Sequence, residues 1–316
     1  MTDVRTVFMG SPDFALTILR KLIPEVNVIG VVTQPDRPAG RGKGLTSPPV
    51  KLFALQQGIP VMQPERLRQP EAFAQIQSWQ PELIVVAAFG QILRQSVLDL
   101  PRFGCLNVHA SLLPRWRGAA PIQAAILNGD EETGVTIMRM DAGVDTGDIL
   151  AQRAITIEDE DDSETLTVKL ADIGAQLLVD ILPDYLRGAI IPIKQNHELA
   201  TYAPMLKKED GYLDFSLPAA VLARRVRAFQ PWPGAYMIWE GQPLKIRQAI
   251  SFDYSGLFPG QCGILQRYPA VGTSVGVLVL KEVQPAGRKP MPGKVFLNGA
   301  RNWAGSIAGS AKLIYD

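Results

Sequence analysis

The run Leu83-Ile84-Val85-Val86-Ala87-Ala88 is six apolar residues long with no polar residue to mark an outward face. A strand with one face in water alternates apolar and polar side chains. A run without alternation suits a strand buried on both faces, and both faces of a sheet are covered when helices cross between parallel strands. The flanking sequence has that rhythm. Val4–Met9 reads as a short strand, Gly10 as a turn, Ser11 as a candidate helix cap and Pro12 as the first helical residue. Phe14, Ala15, Leu16, Leu19 and Leu22 then recur at helical spacing. The alternation continues through strand Asn27–Val32, a helix marked by Val50, Leu52, Phe53 and Leu55, strand Leu106–Val108, helix Ala119–Leu127 and strand Gly134–Met138. The pattern predicts an α/β fold with a Rossmann-like, mostly parallel sheet and helices on both sides.

The catalytic domain is expected to span 1–189. Near its end, the acidic run Glu158–Asp162 leads into a helix with Ser163 as candidate cap and Leu166, Val168, Leu170, Ile173, Leu177 and Leu178 as its apolar stripe. The run reads as favourable charge at a helix start rather than as a metal site. Residues 190–207 read as a linker. From 208 onward a helix-like Ala219–Phe229 gives way to short strands, Ala235–Trp239, Leu244–Ile250 and Gly276–Leu280, which suggest a small barrel. Charge changes along the chain. Residues 1–200 carry 18 Lys and Arg against 24 Asp and Glu, and residues 201–316 carry 14 against 7. A basic C-terminal third suggests a polyanionic partner. Two cysteines and two histidines without metal spacing argue against a zinc site and a disulfide framework. No apolar run approaches the roughly 18 residues of a membrane span, and the start of the chain lacks a leader pattern, so a cytoplasmic protein is expected.

Open α/β sheets bind ligands at the carboxyl ends of their strands. That rule gathers Met9-Gly10, Phe89-Gly90 and Asn107–His109 into one region. Gly10-Ser11-Pro12 is not a dinucleotide fingerprint, and strand Asn27–Val32 ends in Thr33-Gln34-Pro35 with no acidic ribose ligand, so NAD and FAD are set aside. Asn107 and His109, two apart on a strand, point to one side. The loop Asp141–Asp148 supplies Asp145. A histidine in apolar surroundings is as a rule packed and hydrogen-bonded. An amide donor, an imidazole and a carboxylate together instead fit acyl-type transfer. Ser111 as a nucleophile is the weaker alternative, because it lies outside a nucleophile elbow. Residues 33–49 hold four prolines, three glycines and the cations Arg37, Arg41 and Lys43. A loop so long and polar is usually functional.

Asn107-x-His109-x-Ser111-Leu112-Leu113-Pro114, followed by Asp141-x-Gly143-x-Asp145-x-Gly147-Asp148-Ile149-Leu150, resembles the signature of the 10-formyltetrahydrofolate-dependent formyltransferases. Phe8-Met9-Gly10-Ser11-Pro12-Asp13-Phe14-Ala15 fits the same family. The loop Thr33–Lys43 and Arg227-Ala228-Phe229-x-Pro231-Trp232-Pro233-Gly234 narrow the resemblance, over essentially the whole chain, to the branch acting on initiator methionyl-tRNA. The resemblance implies 10-formyltetrahydrofolate as donor, no metal, an OB-like tRNA-binding domain over 208–316 and a role in translation initiation by a monomer. It implies catalytic Asn107, His109 and Asp145. Ser111, Leu112, Leu113 and Pro114 are then expected against the folate, and Phe89, Gly90 and Gln91 to add contacts to it. Arg37, Arg41, Lys43 and Lys207 are the candidate tRNA contacts. A formyltransferase for a small amine, such as a nucleotide sugar or glycinamide ribonucleotide, would share the Asn/His/Asp core but would not need the basic domain. A folate hydrolase would use the same residues on water, and a purely RNA-binding protein would leave them unexplained.

If the loop serves RNA, Arg41→Ala lowers formylation of charged tRNA by about tenfold or more, because an exposed guanidinium suits a phosphate or a base edge. Donor hydrolysis without acceptor should hold steady. Steady-state kinetics of both reactions on one preparation check this, and a parallel fall would assign the loop to the donor site or the fold.

Overall fold

The computed structural model describes residues 2–39 and 44–309. They form two compact units, one built from residues up to 121 with 132–156 and 167–204, the other from 122–131, 157–166 and 205 onward. In chain order the first part runs β1 (Arg5–Gly10), α1 (Asp13–Leu22), β2 (Asn27–Val32), a hairpin of β3 (Arg37–Ala39) and β4 (Gly44–Thr46), α2 (Pro49–Gln56), β5 (Val61–Met62), α3 (Pro70–Ser78) and β6 (Leu83–Ala87). It continues with α4 (Gln95–Leu98), β7 (Cys105–His109), β8 (Arg117–Gly118), α5 (Pro121–Asn128), β9 (Glu132–Arg139), β10 (Ile149–Thr156), α6 (Ser163–Leu186) and β11 (Tyr202–Ala203).

The main sheet of the first unit has the order β10-β9-β7-β6-β1-β2-β5. The strands from β5 to β7 in that order are parallel, and β9 and β10 add an antiparallel edge. All five side chains of β6 are buried, as its unbroken apolar run predicts. Fully burying a side chain such as Leu83, Ile84 or Val85 contributes about 1.5–3 kcal/mol. The sheet turns back between β1 and β6, which makes the carboxyl ends of those strands the mouth of a crevice. Gly10 pairs with Ala87 there, and a Cβ on Gly10 would lie 2.6 Å from both the Ala15 Cβ and the Ala87 carbonyl oxygen. Glycine at this turn is therefore a packing requirement.

Several local expectations change. Ser11 does not cap α1; its Oγ accepts from the Gln34 N–H at 2.9 Å and ties the ends of β1 and β2 together. Leu52 and Leu55 of α2 are exposed, and Val50 and Ala54 face the core instead. The expected loop 33–49 contains the β3–β4 pair, in which Arg37 faces Thr46. The edge strand β10, absent from the sequence reading, alternates apolar and polar side chains too weakly to stand out. Residues 190–204, read as linker, are held in the first unit: Ile193 bridges Ile149, and Tyr202 and Ala203 pair with Arg117 and Gly118.

The second unit has α7 (Ala219–Ala228), β12 (Tyr236–Trp239), β13 (Gln242–Phe252), β14 (Cys262–Leu265), β15 (Tyr268–Gly272), β16 (Val277–Pro285), β17 (Met291–Pro292) and α8 (Gly293–Gly299). Its antiparallel sheet, β12-β13-β16-β15-β14 with β17 on β16, curls into a half-barrel. Two register shifts in β13 supply the bend. Trp303 is fully buried at its centre, with Nε1 donating to the Gly263 carbonyl at 2.7 Å. Segments 122–131 and 157–166 join this unit through α7: Arg224 Nε donates to the Leu127 carbonyl, and Arg227 Nη1 to that of Asp161. The helix following the acidic run is capped by Asp162, whose Oδ1 accepts from the N–H groups of Glu164 and Thr165. Ser163, the expected cap, donates instead to the Ala228 carbonyl.

Gly10→Ala should cost about 2 kcal/mol, within the range for overpacking a filled site. The urea midpoint, at an unchanged slope, measures it; a shift of less than a quarter of that would mean the backbone yields freely here.

Candidate active site

Strand β7 carries Asn107 and His109 on one side. Asn107 is half-buried and His109 is 6% exposed. His109 Nε2 lies 3.0 Å from the Trp116 carbonyl oxygen. A carbonyl only accepts, so Nε2 carries the hydrogen in that contact. Nδ1 then faces the Asp145 carboxylate, 3.6 Å from Oδ2. Asn107 Nδ2 donates to Asp145 Oδ1 over a long 3.4 Å. Among the described residues its second N–H has no partner, so it can meet an incoming oxygen. Asp145 Oδ2 also accepts from the Gly118 N–H at 2.9 Å. The backbone of Asp145 has φ 52°, in the left-handed region where aspartate is among the better-tolerated side chains. Asn107, His109 and Asp145, drawn from one strand and a loop 38 residues away from Asn107, thus meet in one cluster.

The neighbouring thiol takes no part. Burial pushes Cys105 up to about 12, so it stays protonated and weakly nucleophilic. Ser111 is fully buried, and its Oγ donates to the Arg115 carbonyl at 2.6 Å. Its own carbonyl accepts from Thr136 Oγ1, which also accepts from the Leu113 N–H. Gln152 Nε2 donates to the Leu113 carbonyl at 2.8 Å. The segment Ser111–Pro114 is therefore fixed from β9 and β10. Leu113 is buried among Met138, Met140 and Ile149, whereas Leu112 and Pro114 are half-exposed.

Phe89 is buried in the core beside β6, and its carbonyl accepts from Gln34 Nε2. Gly90 is exposed at φ 76°. The Gln91 side chain is engaged, accepting from the Leu67 N–H and donating to the Pro64 carbonyl. Arg37 is exposed and paired with Glu65 at 3.4 Å. Lys207 is exposed at the start of a single 3-10 turn. Arg41 and Lys43 lie outside the described residues. Among the described residues no three His, Cys, Asp or Glu side chains come together to hold a metal ion. Sequence reading did not single out the Trp116 carbonyl, the Gly118 N–H or Gln195, whose Nε2 donates to the Asp145 carbonyl at 3.0 Å. The first two are backbone groups, and the third lies in a polar stretch read as linker.

A parallel sheet ending in this cluster, followed by an antiparallel half-barrel, has known counterparts. Residues 4–182 match the formyl transferase model and residues 205–301 the model of the formyl transferase C-terminal domain. The chain belongs to the formyl transferase family. Within it the relatives are specific: the methionyl-tRNA formyltransferase of Citrifermentans bemidjiense is 47% identical over 98% of both chains. At that identity and coverage the family narrows to the methionyl-tRNA formyltransferases. Solved structures share the fold at low identity. An N-formyltransferase from Helicobacter canadensis, in complex with folinic acid and dTDP-3-aminofucose, superimposes with TM-score 0.65 at 17% identity, covering 89% of this chain and 99% of its own. Methionyl-tRNA formyltransferase from Clostridium thermocellum gives TM-score 0.55 at 16% identity, covering 80% of this chain and 95% of its own.

Ser111→Ala separates a structural hydroxyl from a nucleophile. Losing one intramolecular hydrogen bond should cost about 1 kcal/mol of stability. Turnover should stay within about tenfold of wild type, since a lost nucleophile costs far more. A larger fall in a folded variant would return Ser111 to the chemistry.

Proposed function

We propose that this protein transfers the formyl group of 10-formyltetrahydrofolate to the amino group of initiator methionyl-tRNA, in the cytoplasm, with Asn107, His109 and Asp145 as the catalytic residues. The near-full-length identity to methionyl-tRNA formyltransferases carries the choice of reaction. The geometry supports the roles. The neutral amine attacks the formyl carbon, a C–N bond forms, and the carbonyl oxygen becomes an oxyanion. Asn107 donates its remaining amide hydrogen to that oxygen, a contribution of about 3 kcal/mol when one such donor is removed elsewhere. The amine's proton passes to His109 at Nδ1, the ring nitrogen left with a lone pair once Nε2–H is held by Trp116. The resulting cation lies against Asp145. Collapse breaks the bond from the formyl carbon to N10, N10 takes up the proton that His109 received from the amine, and the imidazole returns to its neutral form. No acyl-enzyme is needed, in keeping with the buried, committed hydroxyl of Ser111.

The donor would enter the crevice at the carboxyl ends of β1, β6 and β7. The exposed backbone at Gly90 and the half-exposed Leu112 and Pro114 suit an aromatic ring with polar edges. The tRNA is assigned to the second unit, where the basic surplus lies, with Lys207 as a contact there, and to Arg37, Arg41 and Lys43 in the 33–49 loop of the first unit.

His109→Ala and Asn107→Ala should each lower turnover by about a hundredfold or more, the usual scale for a lost general base or oxyanion donor. Thermal midpoint and tRNA affinity should remain near wild type. Single-turnover formylation with saturating donor makes the test, and activity within a few-fold of wild type would remove that residue from the chemistry.

A further inference from the structure

Arg117 is 1% exposed, and among the described residues its guanidinium makes no salt bridge to a carboxylate. A buried guanidinium without an ion-pair partner is costly, and an apolar side chain of similar size would pack there at less expense. What the guanidinium does hold is a neutral amide. Its Nε and Nη2 donate to Gln195 Oε1 at 3.1 and 2.7 Å, and Nη2 also donates to His197 Nδ1 at 3.2 Å. With both guanidinium hydrogens on its oxygen, the Gln195 amide has one orientation, with the NH2 group facing away from Arg117.

That NH2 group meets the loop bearing Asp145. Nε2 donates to the Asp145 carbonyl at 3.0 Å and to the Gly147 carbonyl at 2.7 Å. Gln195 is itself 6% exposed, so neither donor is spent on water. The residue after Arg117 completes the hold: the Gly118 N–H donates to Asp145 Oδ2. Strand β8 thus grips Asp145 twice, at its carboxylate through Gly118 and at its carbonyl through Arg117 and Gln195. Gly118 sits so close to β11 that a Cβ there would lie 2.6 Å from the Ala203 carbonyl oxygen. The grip therefore starts from backbone packed against backbone.

We propose that Gln195, oriented by Arg117, is a positioning residue that sets the Asp145 carboxylate against His109. This assignment rests on the proposed function, because it concerns a step of that reaction. Gln195 does not touch the reacting atoms. Its effect runs through Asp145 alone, and that makes it separable from a general role in folding.

The test is a double-mutant cycle on formylation of methionyl-tRNA by the full chain. Gln195→Met keeps the volume and removes both donors. It should lower kcat by about thirtyfold, on the scale of a slightly misplaced catalytic group, with KM for donor and tRNA within about threefold. In an Asp145→Ala background the same substitution should cost less than twofold, because the group it positions is gone. Gln195→Glu is the second variant. Its carboxylate can pair with Arg117 and so keep the fold, yet it offers no hydrogen to the two loop carbonyls. It should reproduce the same loss and the same non-additivity, and it decides the matter if the Met variant does not fold. Losses that multiply in full with Asp145→Ala, or an unchanged kcat in either folded variant, would overturn the assignment. Absence of formyl transfer by the wild-type chain would sink the proposed function and this role together, whereas transfer with additive losses sinks the role alone.

Discussion

Strand β7 is bonded on both sides, in parallel to β6 and antiparallel to β9, and that double pairing fixes where it ends. Val86 lies opposite Asn107 in one register and Thr136 opposite His109 in the other. A slip of one residue would turn Asn107 and His109 to the other face of the sheet. The buried neighbours Leu106 and Val108 forbid that slip, since it would exchange their places with an amide and an imidazole. The placement of Asn107 and His109 is thus a consequence of core packing. The crevice they face exists because the sheet reverses between β1 and β6, and the closeness of Gly10 to Ala87 keeps its wall intact.

Much of this was legible in the residues, and the reasons are specific. The unbroken apolar run of β6 demanded a covered sheet, and the two-residue spacing of Asn107 and His109 demanded a shared side. The left-handed turn at Asp145 was not legible, because aspartate adopts ordinary backbone as readily and the sequence marks the stretch only as a loop. Strand β10 escaped because an edge strand with one wet face and polar residues at Gln152 and Arg153 resembles a loop in composition. The stretch after residue 189 escaped for a related reason. Its side chains are mostly exposed, and its order comes from backbone pairing of Ile193 and Tyr202 and from a single buried amide, Gln195. Backbone pairing leaves little trace in the identity of side chains. The family resemblance supplied the roles that spacing left open, and the near-full-length relatives bear out that resemblance.

The charges of the first unit follow a consistent economy. Surface pairs such as Arg37–Glu65 are exposed and contribute little. Asp36, by contrast, accepts from Gln63 and is paired with Lys51 at 2.7 Å, and those contacts hold its carboxyl below the usual range. It tethers α2 to the start of the loop that carries Arg37. Through Gln63, whose Nε2 also donates to the Gln34 carbonyl, and through Gln34, which donates to the Phe89 carbonyl, the same network reaches the loop after β6. Side-chain amides therefore stitch the connections at the carboxyl edge of the sheet, where helices and strands no longer supply backbone partners.

The distribution of backbone strain points to the same edge. Outside glycine, four of the described residues of the first unit lie at positive φ: Gln80, Ala88, Trp116 and Asp145. Ala88 follows directly on β6, and Trp116 and Asp145 are the two residues that face the ring nitrogens of His109. Each left-handed residue costs roughly 1–2 kcal/mol relative to ordinary backbone, so a fold selected for stability alone has no reason to gather three of them at one mouth. The left-handed turn at Trp116 presents a carbonyl to Nε2, and the one at Asp145 presents a carboxylate to Nδ1. Each also carries a compensating bond, from the Trp116 N–H to Thr201 Oγ1 and from the Gly118 N–H to Asp145 Oδ2. A net gain of about 1 kcal/mol per hydrogen bond is close to the cost of each turn. The strained geometry at the imidazole is thus nearly neutral in energy, and what it secures is direction: both nitrogens of the one histidine on β7 are oriented before any substrate arrives.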